Sequence, residues 1–206
     1  VLFRSRIPAL LIGLLLSFFA FAQRSIDVKH YQFQLHLSDS TNRIYGKTKI
    51  DFQANQPIKQ VDIDLGKYDK NGKGMQVSAV WRNENRKDNQ NNRLAFQWIS
   101  EDRIRVELDK PVEEDQHTSI YIEYSGIPRD GLIISKNMHG DRTFFADNWP
   151  NRAHQWIPCV DDPADKASVE FIVTAPQQYQ AISNGIQPYL ASITMDGQRI
   201  THWIEN

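Results

Sequence analysis

Alternation of apolar and polar side chains at every second residue governs most of this chain. Tyr31, Phe33, Leu35 and Leu37 alternate with His30, Gln32, Gln34 and His36, and Ile44, Thr48, Ile50 and Phe52 repeat the pattern. Only an extended backbone puts residues i and i+2 on one face, so these runs predict strands with one side in a core. Further runs are Val61–Leu65, Val77–Trp81, Leu94–Trp98, Ile104–Leu108, Ile120–Tyr124, Val169–Val173 and Ile200–Ile204. Each is rich in β-branched and aromatic residues and is bounded by Gly, Pro, Asn or Asp. Asp196-Gly197 stands between Ile193–Met195 and Arg199–Trp203, where it can supply the positive φ that a tight hairpin needs. Beyond the first 22 residues no window sustains a 3.6-residue period. The expected class is all-β, with antiparallel strands in a sandwich or an open multi-sheet arrangement.

The N-terminus follows a different rule. Arg4 and Arg6 precede an apolar run from Ile7 to Phe21, which ends in Ala20-Phe21-Ala22. A basic segment, a short apolar segment and a small-residue cleavage site predict a helical secretory signal peptide over 1–22, cut after Ala22. The run is shorter than the roughly 18 apolar residues of a membrane span, and Pro8 and Ser17 interrupt it. The expected product is a secreted or periplasmic domain over 23–206. The near-neutral balance of the whole chain, 24 Lys+Arg against 25 Asp+Glu, removes the electrostatic case for nucleic acid or an anionic membrane surface as main partner. Cys159 has no second cysteine to pair with and reads as a buried structural thiol.

Three stretches break the strand rhythm. Arg82–Arg93 is charged, amide-rich and free of apolar residues apart from its flanks, which predicts a solvated hairpin tip without the aromatic platforms of a nucleic-acid site. Ser125–Asp141 reads as a loop. Arg142–Ala167 holds aromatics, three prolines and the cysteine among acids and amides, with no helical or strand period. A long aromatic-rich irregular segment must pack on something and is commonly functional.

The chemistry inside these segments is limited. The six histidines are scattered, with no H-E-x-x-H pair. His30 and His36 share a strand face but stand roughly 20 Å apart at the rise of an extended chain, too far to share an ion. Gly72-Lys73-Gly74 lacks the strand–turn–helix setting of a phosphate cradle, and no G-x-S-x-G elbow occurs. Asp161 and Asp162 could form an acid/base pair. Adjacent residues of an extended chain point in opposite directions, however, so the expectation is that one of them turns inward to hold loop N–H groups, with Lys166 as a charge partner.

Trp156-Ile157-Pro158-Cys159-Val160-Asp161-Asp162-Pro163-Ala164-Asp165-Lys166-Ala167 resembles the P-C-x-D-x-P-x-x-K-A signature of the aminopeptidase N-like zinc metallopeptidases. Gly126-Ile127-Pro128-Arg129-Asp130-Gly131-Leu132 resembles that family's G-x-P-x-x-G-L/F loop, and Val169–Pro176 with Ser183-Asn184-Gly185 resembles its next strands. The resemblance covers residues 26–206 and implies the family's N-terminal β-domain, a saddle packed over a zinc-bearing catalytic domain. It implies zinc and peptide substrates for the parent protein, with no catalytic residue and no metal ligand in this segment. It further implies a substrate contact from a Gln or Glu ten residues before the motif cysteine; that position is Trp149 here, and the nearest acid is Asp147, twelve before Cys159, so the candidate contact is Asp147 with Asn148. Pro158, Cys159, Asp161, Asp162, Pro163 and Lys166 are then structural. Two other readings stand beside this one: a non-catalytic relative used as an interaction scaffold, and a free-standing β-sandwich that binds through exposed aromatics such as Trp149 and Trp156.

Overall fold

The computed structural model describes residues 24–82 and 92–206. The expected signal peptide and the centre of the Arg82–Arg93 loop lie outside the described residues. Twelve strands follow one another: β1 Ile26–His36, β2 Ile44–Ala54, β3 Ile58–Asp64, β4 Gly74–Trp81, β5 Phe96–Ser100, β6 Arg103–Val112, β7 His117–Ile127, β8 Leu132–Lys136, β9 Arg142–Ala146, β10 Ser168–Pro176, β11 Ser192–Ile193 and β12 Gln198–Glu205. The described residues contain no α-helix; a 3-10 turn spans Ala153–Gln155. The described residues are all-β, as the period of two requires.

The strands form a seven-stranded sheet in the order β11-β12-β10-β1-β2-β7-β4, a three-stranded sheet β3-β6-β5 and the two-stranded hairpin β8-β9. Alternation decides which side faces the core. In β2, Ile44, Thr48, Ile50, Phe52 and Ala54 are buried while the residues between them are not. Phe52, Ile50, Ile120 and Ile122 are wholly buried, and burial of each such side chain stabilises the fold by about 1.5–3 kcal/mol. Buried residues of the three-stranded sheet, among them Val61, Ile63, Ile104 and Val106, belong to the same apolar cluster. In β1 a register shift between Val28 and His30 makes room for Lys29, so that the buried set changes parity from Ile26 and Val28 to Tyr31, Phe33 and Leu35.

Three features depart from the sequence expectation. The pairing of β1 with β10 is parallel, from His30 beside Ser168 to His36 beside Thr174, in an otherwise antiparallel sheet. The Ser125–Asp141 stretch is not one loop, because β7 continues to Ile127 and β8 occupies Leu132–Lys136. The following segment also begins as a strand, β9, paired with β8 through Ile133–Phe145 and Ile134–Phe144. Both faces of this short hairpin carry large apolar residues, which erases the alternation by which strands are recognised. The β11–β12 connection does use Gly197 at φ +76°, with the Thr194 N–H donating to Gln198 O at 2.8 Å.

Candidate functional site

The segment after β9 is anchored residue by residue. Asp147 N–H donates to Gly131 O at 2.7 Å, which fixes the exit from the β8–β9 hairpin. Gly131 has φ +77°, and a Cβ there would stand 2.3 Å from Arg152 O, so the loop before β8 passes directly under the 149–153 turn. Only glycine meets both demands. The Asp147 carboxylate pairs with the Arg152 guanidinium, which also reaches Asp130 at 3.4 Å and donates from Nε to Trp149 O at 2.7 Å. Two carboxylates thus share one guanidinium, leaving a net negative charge at this corner. Asn148 Oδ1 accepts the indole N–H of Trp156 at 2.9 Å, and Trp156 is buried. Trp149 is the reverse: it is 77% exposed, beside the acidic corner.

Further along, Asp161 turns inward and Asp162 outward, as alternation of direction requires. Asp161 Oδ2 accepts from His154 N–H at 3.1 Å and lies 2.6 Å from His154 Nδ1. Its own N–H donates to Asp64 Oδ2 at 3.1 Å. Asp64 and Cys159 exchange two backbone hydrogen bonds, at 2.8 and 3.1 Å, tying the motif to the end of β3. Val160 N–H donates to the Tyr31 hydroxyl at 2.8 Å, and burial pushes that hydroxyl's pKa well above its ordinary value, helped by the neighbouring Cys159. Asp162 takes its charge partner from Arg24, two residues before β1, and caps Ala164 N–H at 2.8 Å. The cation on the motif's outward acid is therefore Arg24 rather than Lys166, for which the described residues show no ion pair.

The Cys159 thiol is buried, and its pKa is raised well above the ordinary value by that burial and by Asp161, Asp64 and Asp165 around it. Both effects disfavour the thiolate, which is the nucleophilic form. Among the described residues no three His, Cys, Asp or Glu side chains are grouped so that they could hold a metal ion. The donor set for zinc does not fit here, and no step through a metal can be derived from these residues.

Sequence reasoning placed Asp147, Asn148 and Trp149 together, and they adjoin one another in the fold. It missed Arg152 and Asp130, which complete the charged corner. The only sequence signal for them was Asp130 within the G-x-P-x-x-G-L stretch. It also missed Asp64 and Arg24, which lie 97 and 138 residues from the acids they serve.

The described residues form a mixed β-domain stitched through a P-C-x-D-D-P segment. The chain matches the Peptidase M1 N-terminal domain over residues 27–206 and belongs to that family. Its fold is similar to the M1 zinc metallopeptidase of Deinococcus radiodurans, with TM-score 0.70 and 22% identity over 89% of this chain and 40% of that one. A mutant of the same enzyme bound to a Tyr-Ser-Ala substrate gives TM-score 0.69 and 20% identity over the same shares. A two-domain M1 mutant bound to L-tryptophan gives 0.69 and 22%, again over 89% and 40%. This chain therefore spans about two fifths of the length of the structures it matches. No curated protein matches it.

Proposed function

We propose that this chain is the substrate-channel wall of a secreted or periplasmic zinc aminopeptidase, which removes N-terminal residues from peptides. Zinc and the groups that activate water would lie in a catalytic domain outside residues 23–206. The present domain would bind and orient the substrate and exclude water. The observation that carries this reading is the corner formed by Asp130, Asp147 and Arg152 beside Trp149. Two carboxylates on one guanidinium keep a residual negative charge that suits an α-ammonium group, and charge-assisted hydrogen bonds of this kind are about twice as strong as neutral ones. The exposed indole of Trp149 offers an apolar surface for the neighbouring side chain. Asn148, engaged with Trp156, holds the turn in place.

The test is kinetic, on the full-length parent protein. Asp147→Ala should lower kcat/KM for aminoacyl substrates about 10-fold or more, while N-acetylated peptides remain uncleaved by either form. Unchanged kinetics in the variant would remove Asp147 from the site. A wild-type protein without chelator-sensitive peptidase activity would favour the scaffold reading. Fractionation of the source cells, with sequencing of the mature N-terminus, tests export and cleavage after Ala22.

A further inference from the structure

His154 stands in the middle of the 3-10 turn and faces two carboxylates from different parts of the chain. Its Nδ1 lies 2.6 Å from Asp161 Oδ2, and its Nε2 lies 3.9 Å from Asp102 Oδ1, in the turn between β5 and β6. A carboxylate only accepts, so Nδ1 carries the proton of the neutral ring and donates it to Asp161. Nε2 is then a lone pair that accepts from the Gln155 side-chain amide and has no proton to offer Asp102. The neutral imidazole is bonded to one acid and only near the other.

A polar cavity of about 210 Å³ opens beside the ring, lined by Asp64, Asp102, Arg103, His154 and Asp161 among others. Asp64 comes from the end of β3, Asp102 from the β5–β6 turn, Arg103 from the start of β6 and Asp161 from the motif. Arg103 pairs with Asp64 at 2.6 Å, and Arg129, from the loop after β7, pairs with Asp102. Three carboxylates therefore stand against two guanidinium groups, and one proton on His154 balances them. The backbone couples this ring to the acidic corner. His154 O accepts from Gly66 N–H at 2.7 Å, while Leu65 N–H donates to Asp102 O at 2.9 Å and Lys67 N–H to Glu101 O at 2.8 Å. The 3-10 turn and the β5–β6 turn thus lie side by side on residues 65–67. Arg152, which holds Asp130 and Asp147, caps the start of that same 3-10 turn.

We propose that His154 is a proton-operated positioning residue for the corner of Asp130, Asp147 and Arg152. A proton taken up from water at Nε2 turns that atom from acceptor to donor and displaces the Gln155 N–H. With a closure of about 1 Å, Nε2–H donates to Asp102 Oδ1, and the imidazolium bridges Asp161 and Asp102. The 3-10 turn is then clamped to the β5–β6 turn, which fixes Arg152 and with it the Asp147 carboxylate. Loss of the proton opens the Asp102 side of the bridge. Imidazole is the side chain whose ordinary titration falls between pH 5 and 8, so the clamp closes on the acidic side of that range. Every group in the bridge belongs to this domain. The assignment rests on the reading of the corner as the site for the substrate's amine.

Hydrogen–deuterium exchange of the full-length parent at pH 5.5 and pH 8, normalised to the intrinsic amide rate at each pH, tests the clamp. Amides of 152–156 should be about 3-fold better protected at pH 5.5, the scale of an ion pair whose acid is half exposed. His154→Gln cannot take the proton and should show equal protection at both pH values. Asp102→Ala keeps the imidazole but removes its second acceptor, and should do the same. Amides of Ile50 and Phe52 report that each variant is folded. The second readout is KM for an aminoacyl anilide, taken as the ratio of His154→Gln to wild type so that titration of the substrate's amine cancels. That ratio should rise about 3-fold from pH 8 to pH 5.5, with the kcat ratio unchanged. Equal protection of the wild type at the two pH values, or a difference that persists in both variants, overturns the proposal. Proton-dependent protection with a flat KM ratio upholds the clamp and counts against the corner as the amine site. A defective Asp147→Ala enzyme without proton-dependent protection does the reverse.

Discussion

The Asp161 carboxylate holds His154 twice, through the backbone N–H at 3.1 Å and the ring Nδ1 at 2.6 Å, with both side chains only 14% exposed. This pair closes the turn that carries Arg152 and thereby sets the position of the Asp147–Trp149 corner. Loss of one member of a largely buried pair strands the other, so Asp161→Ala should destabilise the domain by about 2–4 kcal/mol. Asp161→Asn keeps one acceptor and should cost about half as much. Urea unfolding midpoints check both, and equal midpoints for wild type and Asp161→Ala would show that the turn stands without the pair.

Glu170 offers a pH-dependent test on the other side of the sheet. Its carboxylate accepts from Gln32 Nε2 at 2.7 Å and is bonded to His202, with His30 Nε2 at 3.5 Å. Partial burial opposes its charge, but the hydrogen bonds from Gln32 and His202 outweigh that effect and hold the carboxyl below its ordinary pKa. A depressed folded-state pKa gives stability that is present above the unfolded value, about 4.3, and is lost as pH falls through the folded value. Glu170→Gln should therefore cost about 1 kcal/mol at pH 7 and little below pH 4. Denaturation series at several pH values measure the difference, and a cost independent of pH would assign the effect to shape alone.

How far these features could be read from the sequence depended on their range. Strands with one buried face announced themselves, as β2 does through Ile44, Thr48, Ile50 and Phe52. The β8–β9 hairpin did not, because Phe144 faces the core while its neighbour Phe145 is exposed, and no alternation survives. The parallel β1–β10 pair joins residues 138 positions apart, and local pattern carries no information about such pairing. At the candidate site, the direction of Asp161 followed from strand geometry alone. Its partner Asp64 and the counter-ion Arg24 did not, since each comes from a distant strand end.

Asp165 carries a cost that can be removed. Its Oδ1 accepts the Val28 N–H at 3.3 Å, but Oδ2 is buried without a partner. Burial raises its pKa, against the lowering effects of the Val28 N–H and Arg24. A raised carboxyl pKa means that the folded state binds the proton more tightly, so stability is lost as pH rises from the unfolded value, about 3.9, through the folded one. Asp165→Asn keeps an acceptor for Val28 and carries no charge. It should stabilise the domain by about 1 kcal/mol at pH 7, with the gain shrinking toward pH 4. A thermal shift of the variant downward at pH 7 would show that the carboxylate is paid for elsewhere.

Cys159 gives the sharpest contrast between two chemistries. A catalytic cysteine needs a lowered pKa and access; here burial and the carboxylates of Asp161, Asp64 and Asp165 raise the pKa, and the side chain is enclosed. The folded domain should react with a thiol reagent such as DTNB only through unfolding, so that the labelling rate climbs with urea along the unfolding curve. Cys159→Ala should cost about 1 kcal/mol for the small cavity it leaves. Cys159→Ser should cost about 1–3 kcal/mol, because its hydroxyl must be buried next to three acids. The peptidase activity proposed for the parent should survive Cys159→Ala and should fall with chelator rather than with thiol reagent. Rapid labelling of the folded domain, accompanied by loss of activity, would reverse the assignment and make Cys159 part of the chemistry instead of the clasp between the motif and β3.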